Sequence, residues 1–271
     1  MVRTLSNAEM MAHHTADCQP TEEYVLHCHE TFEVYYFVSG RVSYLVEGRQ
    51  YTPQPESMLL LPPNVFHGVR VEGRENYERY ALHFRPSLLP ADMTGLLLSP
   101  FQGGEGDVYY PQADAFGLRG YFEQVMACDE LDDDMRDAAL AARIQALLTQ
   151  VVYMSRKRRG APRPAGNPTV EEIVRYLNAH LSEPITLDEL SARFFISKYY
   201  LNTVFKKYTG TTVMNYVIHK RLAAARQSIR QGTPPTDAAQ ECGFGDYSAF
   251  FRAYKKLYAQ SPSRTVQSNQ G

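Results

Sequence analysis

Cysteine is scarce in this chain. Four in 271 residues, Cys18, Cys28, Cys128 and Cys242, fall without paired spacing, so no disulfide framework is readable and a reduced, cytoplasmic setting is expected. Long apolar runs are missing as well: nothing approaches the ~18 residues of a membrane span, and no membrane partner is expected. The opening MVRTLSNAEMMAHH lacks the apolar core of a signal peptide, which predicts no export. Nor is there a nucleophile elbow, a phosphate-cradling glycine loop or a Cys-x-x-Cys pair. These absences leave binding chemistry as the thing to look for.

Charge is the first positive signal. The formal net charge is −2, yet residues 156–271 hold 18 Lys/Arg against 8 Asp/Glu, while residues 1–155 hold 10 against 22. A basic back half joined to an acidic front half points to nucleic acid as the partner of the back half. The length allows two domains, each with its own core.

The back half carries the clearest pattern, ITLDELSARFFISKYYLNTVFKKYTG from Ile185 to Gly210. Thr186 followed by Glu189 reads as a capping box, and Ser197 caps a second helix whose Leu201, Val204 and Phe205 share one face. The opposite face carries Tyr199, Asn202, Thr203 and Lys206, a row of hydrogen-bonding, methyl and cationic tips. The unit recurs 49 residues on. Ser197 maps to Asp246, Leu201 to Phe250, Phe205-Lys206-Lys207 to Tyr254-Lys255-Lys256 and Thr212 to Ser261, with Ser248, Phe251, Arg252 and Lys255 outward. Duplicated helix-turn-helix units can enter successive major-groove segments about one helical turn apart. With Lys198 and Tyr247 at the helix starts, these two rows are the expected contacts to double-stranded DNA. A helix from Thr169, with a second capping box to Glu172, and a connector from Met214 to Arg230 complete the half; Gly232-Thr233-Pro234-Pro235 ends the connector.

Residues 168 to 265 resemble the two-motif DNA-binding domain of AraC/XylS-type transcription regulators. The resemblance is carried by Leu190-Ser191, Leu201, Phe205-Lys206-Lys207 and Gly210, by Arg221-Leu222 and Ala225, and by Ala239, Gly243-Phe244, Asp246, Phe250, Tyr254-Lys255-Lys256 and Ser261-Pro262. Ala259 stands where the family usually has Gly, and Ala238 where it has a larger aliphatic. The resemblance implies a sequence-specific regulator controlled by a small molecule, working as a homodimer and, if an activator, with RNA polymerase.

In the front half, short alternating runs from Tyr24 to Phe84, separated by turn residues, predict a small antiparallel barrel or sandwich. Helices follow over Phe116–Cys128 and Met135–Ser155. The second has an aliphatic stripe of Leu140, Ile144, Leu147, Leu148 and Val151, expected to hold a dimer, the lesser alternative being that it covers the barrel. Arg156 to Gly166 has linker composition. The expected layout is an α+β chain with a cupin-like antiparallel β-barrel plus helices at 1–155, a linker at 156–167 and an all-α double helix-turn-helix at 168–271.

The stretch HCHETFEVYYFVSG supplies His27, His29 and Glu33, and His67 follows. On one continuous strand these first three would share a face and meet His67 inside a barrel, a donor set for Zn, Ni, Fe or Mn. The spacing H-x-H-x3-E-x6-G resembles the first metal motif of the cupin barrels, although Pro62-Pro63-Asn64 departs from the second. The alternatives are a polar effector held by the same residues or bonds among themselves. Tyr24, Tyr35, Tyr36, Tyr44 and Tyr80 could stack on a carbohydrate or pack in the strands, and His83 reads as a core or rim residue. The expected effector set is therefore His27, His29, Glu33, Tyr35, Tyr44 and His67. The rival from another class is a metal-dependent cupin enzyme fused to a DNA-binding domain, which turnover of the ligand would reveal.

Overall fold

A computed structural model describes the chain apart from residues 1, 18–20, 22–23, 74–75, 103–108, 112, 158–164 and 268–271. Cys18, Gly103-Gly104 and most of the expected linker lie outside the described residues. The chain divides into two compact units, Met1–Val46 with Gln50–Ala165, and Glu47–Arg49 with Gly166–Gly271.

The front unit strings together β1 (Val2–Ser6), β2 (Met10–Asp17), β3 (Val25–His27), β4 (Phe32–Ser39), β5 (Val42–Val46), β6 (Arg49–Tyr51), β7 (Ser57–Leu61), β8 (His67–Val71), β9 (Tyr77–Phe84) and β10 (Tyr109–Tyr110). They form two antiparallel sheets. One has the order β1-β2-β9-β4-β7-β10, and in the other β6, β5, β8 and β3 lie side by side. Strand β4 shows why both faces need cover. Val34, Tyr36 and Val38 sit in one core cluster and Tyr35 and Phe37 in another, the period-two alternation of a strand buried on both sides. Glu47 and Gly48, with φ of 47° and 84°, join β5 to β6 in a turn with the positive φ pair of type I′.

Strands β1 and β2 were not legible in the sequence. The longer of them, MMAHHTAD, carries Met, Ala and His rather than branched aliphatics, and VRTLS is too short and polar to stand out. The turn between them is fixed by Asn7, whose Oδ1 accepts from the amides of Glu9 and Met10.

Helices α1 (Thr94–Leu98), α2 (Leu118–Met126) and α3 (Asp133–Lys157) belong to the same unit. The α3 stripe corrects an expectation. Leu140, Ile144, Leu147, Leu148 and Val151 share the core of Val34, Tyr36 and Leu60 and are at most 1% exposed, so the stripe covers the sheet and is not free for a partner. At about 1.5–3 kcal/mol per fully buried aliphatic, that face is committed to the fold.

The back unit is helical: α4 (Pro168–Ala179), α5 (Leu187–Phe194), α6 (Lys198–Thr209), α7 (Val213–Arg230), α8 (Pro235–Glu241), α9 (Tyr247–Tyr258) and α10 (Pro262–Gln267). The capping box of Thr186 and Glu189 is present, and Ser197 and Asp246 cap α6 and α9 through the amides of Tyr200 and of Ser248 and Ala249. The start of α4 differs from expectation. Asn167, not Thr169, is its cap, accepting from Thr169 and Val170, because Pro168 occupies the first helical position. The 49-residue repeat survives to the C-caps: Gly210 (φ 74°) ends α6 and Ala259 (φ 56°) ends α9. Gly243 (φ 84°) has no room for a side chain, since a Cβ there would lie 2.7 Å from the Leu181 carbonyl oxygen. Beside it Arg221 donates from Nε to that same oxygen and from Nη2 to the Glu183 carbonyl, tying α7 to the turn after α4.

Candidate metal centre and nucleic-acid interface

His27, His29, Glu33 and His67 each bring a ligand atom within 4.8 Å of the others. They do not converge by strand alternation. His27 ends β3 in one sheet, His29 lies in the connection, Glu33 is on β4 in the other sheet and His67 opens β8, paired with His27. The chain crosses between sheets inside the motif, and the crossing gathers the set.

Each inner imidazole is held at Nδ1. His29 Nδ1 lies 3.0 Å from the Thr31 carbonyl and 3.1 Å from the Thr31 hydroxyl, which suit either tautomer, and His67 Nδ1 lies 2.8 Å from the Val65 carbonyl. A carbonyl only accepts, so His67 Nδ1 carries a proton and the Nε2 of a neutral His67 ring turns a lone pair inward. The Nε2 atoms of both rings sit 3.0 Å from Glu33 Oε2. With a metal bound, neutral rings would turn Nε2 lone pairs to the ion beside Glu33; without one, protonated Nε2 groups donate to the carboxylate. The spacing fits a metal: donors about 2.1 Å from a common ion and about 90° apart are about 3 Å from each other. Carbonyl-bound Nδ1–H groups are also the usual outer shell of metal-binding histidines. Burial alone would raise the Glu33 carboxyl, but the bonds and charges of His29, His67 and His83 outweigh it and hold it well below the usual carboxylate range.

Beside the cluster a cleft of about 510 Å³ is lined by residues of the β1–β2 hairpin together with His27, His29, Thr31, His83 and Arg85. His83 Nδ1 is 3.9 Å from Glu33 Oε2, against the cluster but outside the ligand set. His13, on the hairpin that sequence reasoning missed, stacks on His83 at 5.6 Å. Tyr35 and Tyr44, by contrast, are 0% and 2% exposed in a packed core, with Tyr35 Oη 3.1 Å from Tyr77 Oη. Neither lines the cleft, so the stacking platform expected for a sugar is spent on packing.

In the back unit Leu201, Val204 and Phe205 are buried, while Lys198, Tyr199 (84% exposed), Thr203 and Lys206 face outward along α6. Asn202 is only half-exposed, and its Oδ1 is buried without a hydrogen-bond partner. On α9, Phe250 and Tyr254 are buried and Tyr247, Ser248, Phe251, Arg252 and Lys255 are exposed. Among the described residues no helix is long and apolar enough to cross a membrane.

A sheet unit with a convergent polar site, followed by paired helix-turn-helix motifs, defines a ligand-binding regulator of transcription. Residues 13–165 match the AraC-like ligand binding domain and residues 190–268 a helix-turn-helix domain. The chain belongs to the AraC family of transcriptional regulators, not to a family of enzymes. It is similar to the probable transcriptional regulator LumQ of Photobacterium leiognathi, 38% identical over 93 residues that make up 34% of this chain and 38% of that one. It is also similar to the XylDLEGF operon transcriptional activator 2 of Pseudomonas putida, 30% identical over 105 residues, 37% of this chain and 67% of that one. Against LumQ the chain therefore spans well under half of the relative's length. The crystal structure of a probable AraC family transcriptional regulator from Rhodopseudomonas palustris CGA009 is 29% identical and covers 38% of this chain and 98% of its own, with a TM-score of 0.35.

Proposed function

We propose that the protein is a sequence-specific transcription regulator whose front unit responds to a small molecule at a divalent-metal site made by His27, His29, Glu33 and His67. The observation that carries the metal is the convergence of two imidazole Nε2 atoms on one carboxylate oxygen at 3.0 Å, with each Nδ1 already engaged by a backbone carbonyl. Zn, Ni, Fe and Mn all suit three imidazoles and one carboxylate. The exposed His27 leaves the centre open towards the cleft, so a bound effector can reach it.

DNA contacts are assigned to Lys198, Tyr199, Asn202, Thr203 and Lys206 on α6 and to Tyr247, Ser248, Phe251, Arg252 and Lys255 on α9. Effector binding regulates only by favouring one arrangement of the two units over another, because equal affinity for both shifts nothing. The homodimer moves to the outward side of α3, where Ala138, Ala142, Ala146 and Thr149 are exposed at helical spacing between Met135 and Tyr153.

The test is elemental analysis of the purified full-length protein with operator selection in the presence and absence of chelator. One equivalent of a transition metal, lost in a His29→Ala/Glu33→Ala variant that still binds DNA, supports the reading. Protein that stays metal-free after exposure to each of the four ions overturns it.

A further inference from the structure

Deeper along the inward face that carries Glu33 lies Arg79, which makes no ion pair with a carboxylate among the described residues. On β9 the residues Arg79, Ala81 and His83 alternate with side chains facing the helices; their partners on β4 are Phe37, Tyr35 and Glu33, and those on β2 are Thr15, His13 and Met11. Arg79 therefore shares the inter-sheet space with the metal cluster, two strand positions beyond Ala81 and four beyond His83. Its guanidinium lies 5.6 Å from the Tyr35 ring and 6.0 Å from the Tyr77 ring. Among the described residues no carboxylate lies within ion-pairing distance of it, and its Nε is buried without a hydrogen-bond partner. His13 Nε2, diagonally across from it on β2, is likewise buried and unpartnered. Ala81 sits opposite both His13 and Tyr35, so the smallest side chain on that face lies between the two orphaned groups.

A buried arginine Nε–H aimed at nothing is rare in a folded chain. It calls for an acceptor, and the unpartnered His13 Nε2 on the neighbouring strand, which also lines the cleft, supplies a second donor in its Nε2–H tautomer, so one anion would satisfy both. We propose that Arg79 and His13 form an oxyanion subsite, so that the effector is a small organic anion, a carboxylate or a phosphate ester, and not a neutral sugar. The acid group occupies the Arg79 end while the rest of the molecule extends towards His83 and the His27, His29, Glu33 and His67 cluster. Arg79 suits the role because its planar fork pairs with carboxylate or phosphate at two points, and the Tyr35 and Tyr77 rings flank it. This inference rests on the front unit being the effector domain, but its oxyanion subsite does not need the metal.

Thermal shift and calorimetric titration of the full chain at constant ionic strength test it, with succinate and glycerol phosphate as the two oxyanion probes and succinamide and glucose as neutral controls. One oxyanion probe is expected to raise Tm and bind, and which one does so separates carboxylate from phosphate. Arg79→Gln should weaken that probe about 10- to 100-fold. Arg79→Lys should recover part of the loss, and His13→Gln should weaken it less than Arg79→Gln. Metal content and DNA binding, unchanged in Arg79→Gln, certify the fold; if that variant does not fold, the graded response of Arg79→Lys and His13→Gln stands in for it. Repeating the titration after chelation separates the two readings: an Arg79-dependent shift in protein that never takes up metal keeps this inference and removes the metal. Neutral probes that stabilise as well as the anions, no response to either anion, or a response that survives Arg79→Gln overturns it.

Discussion

His67 Nε2 faces Glu33 Oε2 across 3.0 Å while Nδ1 of the same ring gives its proton to the Val65 carbonyl. His29 Nε2 faces the same oxygen, with its Nδ1 beside the Thr31 carbonyl. Glu33→Gln follows from this. An amide nitrogen in place of Oε2 would donate to the lone pairs of neutral imidazoles, where a carboxylate can only accept. The variant should lose metal, yet in chelator its melting temperature should equal or exceed the parent's, by the ~1 kcal/mol of a gained hydrogen bond. Elemental analysis and thermal melts read both halves, and a variant that keeps its metal would sink the assignment.

Acid should expose His13. Burial first, and the Arg79 charge second, bring its pKa down from the ordinary imidazole value to about 4, with Glu33 pulling the other way. As pH falls below about 6.5 the unfolded chain takes up this proton before the folded one does, so stability drains between about 6.5 and about 4 and is insensitive to His13 above that window. In His13→Gln the front unit should lose less stability over the same range. Equal slopes in parent and variant, read from denaturant midpoints at each pH, would show that the ring titrates normally in the fold.

Helix α3 separates two kinds of surface. Ile144→Asp with Leu147→Asp puts two carboxylates into the core shared with Val34, Tyr36 and Leu60, so the outcome should be an unfolded front unit and not a folded monomer. Ala142→Arg or Ala146→Arg leaves that core alone and crowds the outward face. Light scattering should then give folded monomer, whereas a dimer that survives both outward changes places the interface off α3.

The back unit was legible in most of its elements because its signals are local: Ser197 and Asp246 as caps and a 3.6-residue apolar stripe. In the front unit the donors His27, His29, Glu33 and His67 were legible from their spacing, but not the route by which they meet, since a change of sheet between His27 and Glu33 leaves no periodic mark. The β1–β2 hairpin, and His13 with it, was hidden by a strand built from Met, Ala and His. The fate of the α3 stripe was undecidable from periodicity, which says that a face is apolar but not what covers it.

Phe195 ends α5 in the left-handed region at φ 55° and is 93% exposed. A bulky residue held there without burial gains nothing for the strain, which is of order 1 kcal/mol. Phe195→Gly should raise the stability of the back unit by about that much in denaturant melts. A loss of stability would mean that the ring has a partner that offsets the strain.

The exposed rows of α6 and α9 make separable claims about DNA. Arg252 is exposed on α9, one turn beyond Ser248, and a guanidinium there can pair at two points with a guanine edge; Arg252→Ala should cost about 1–3 kcal/mol on the preferred operator and much less on random DNA. Lys206 closes the exposed row near the C-terminal end of α6, where a flexible ammonium reaches phosphate, so Lys206→Ala should weaken all DNA alike and lower the salt slope by about one charge. Asn202 should behave differently from both. Its Oδ1 is buried, and a two-point contact to adenine would need the side chain to turn, so Asn202→Ala should show a smaller loss of specificity than Arg252→Ala. Titrations of operator and random duplex across a salt series measure all three. A uniform loss for Arg252→Ala, or a sequence-dependent one for Lys206→Ala, would reverse the roles assigned to the two helices.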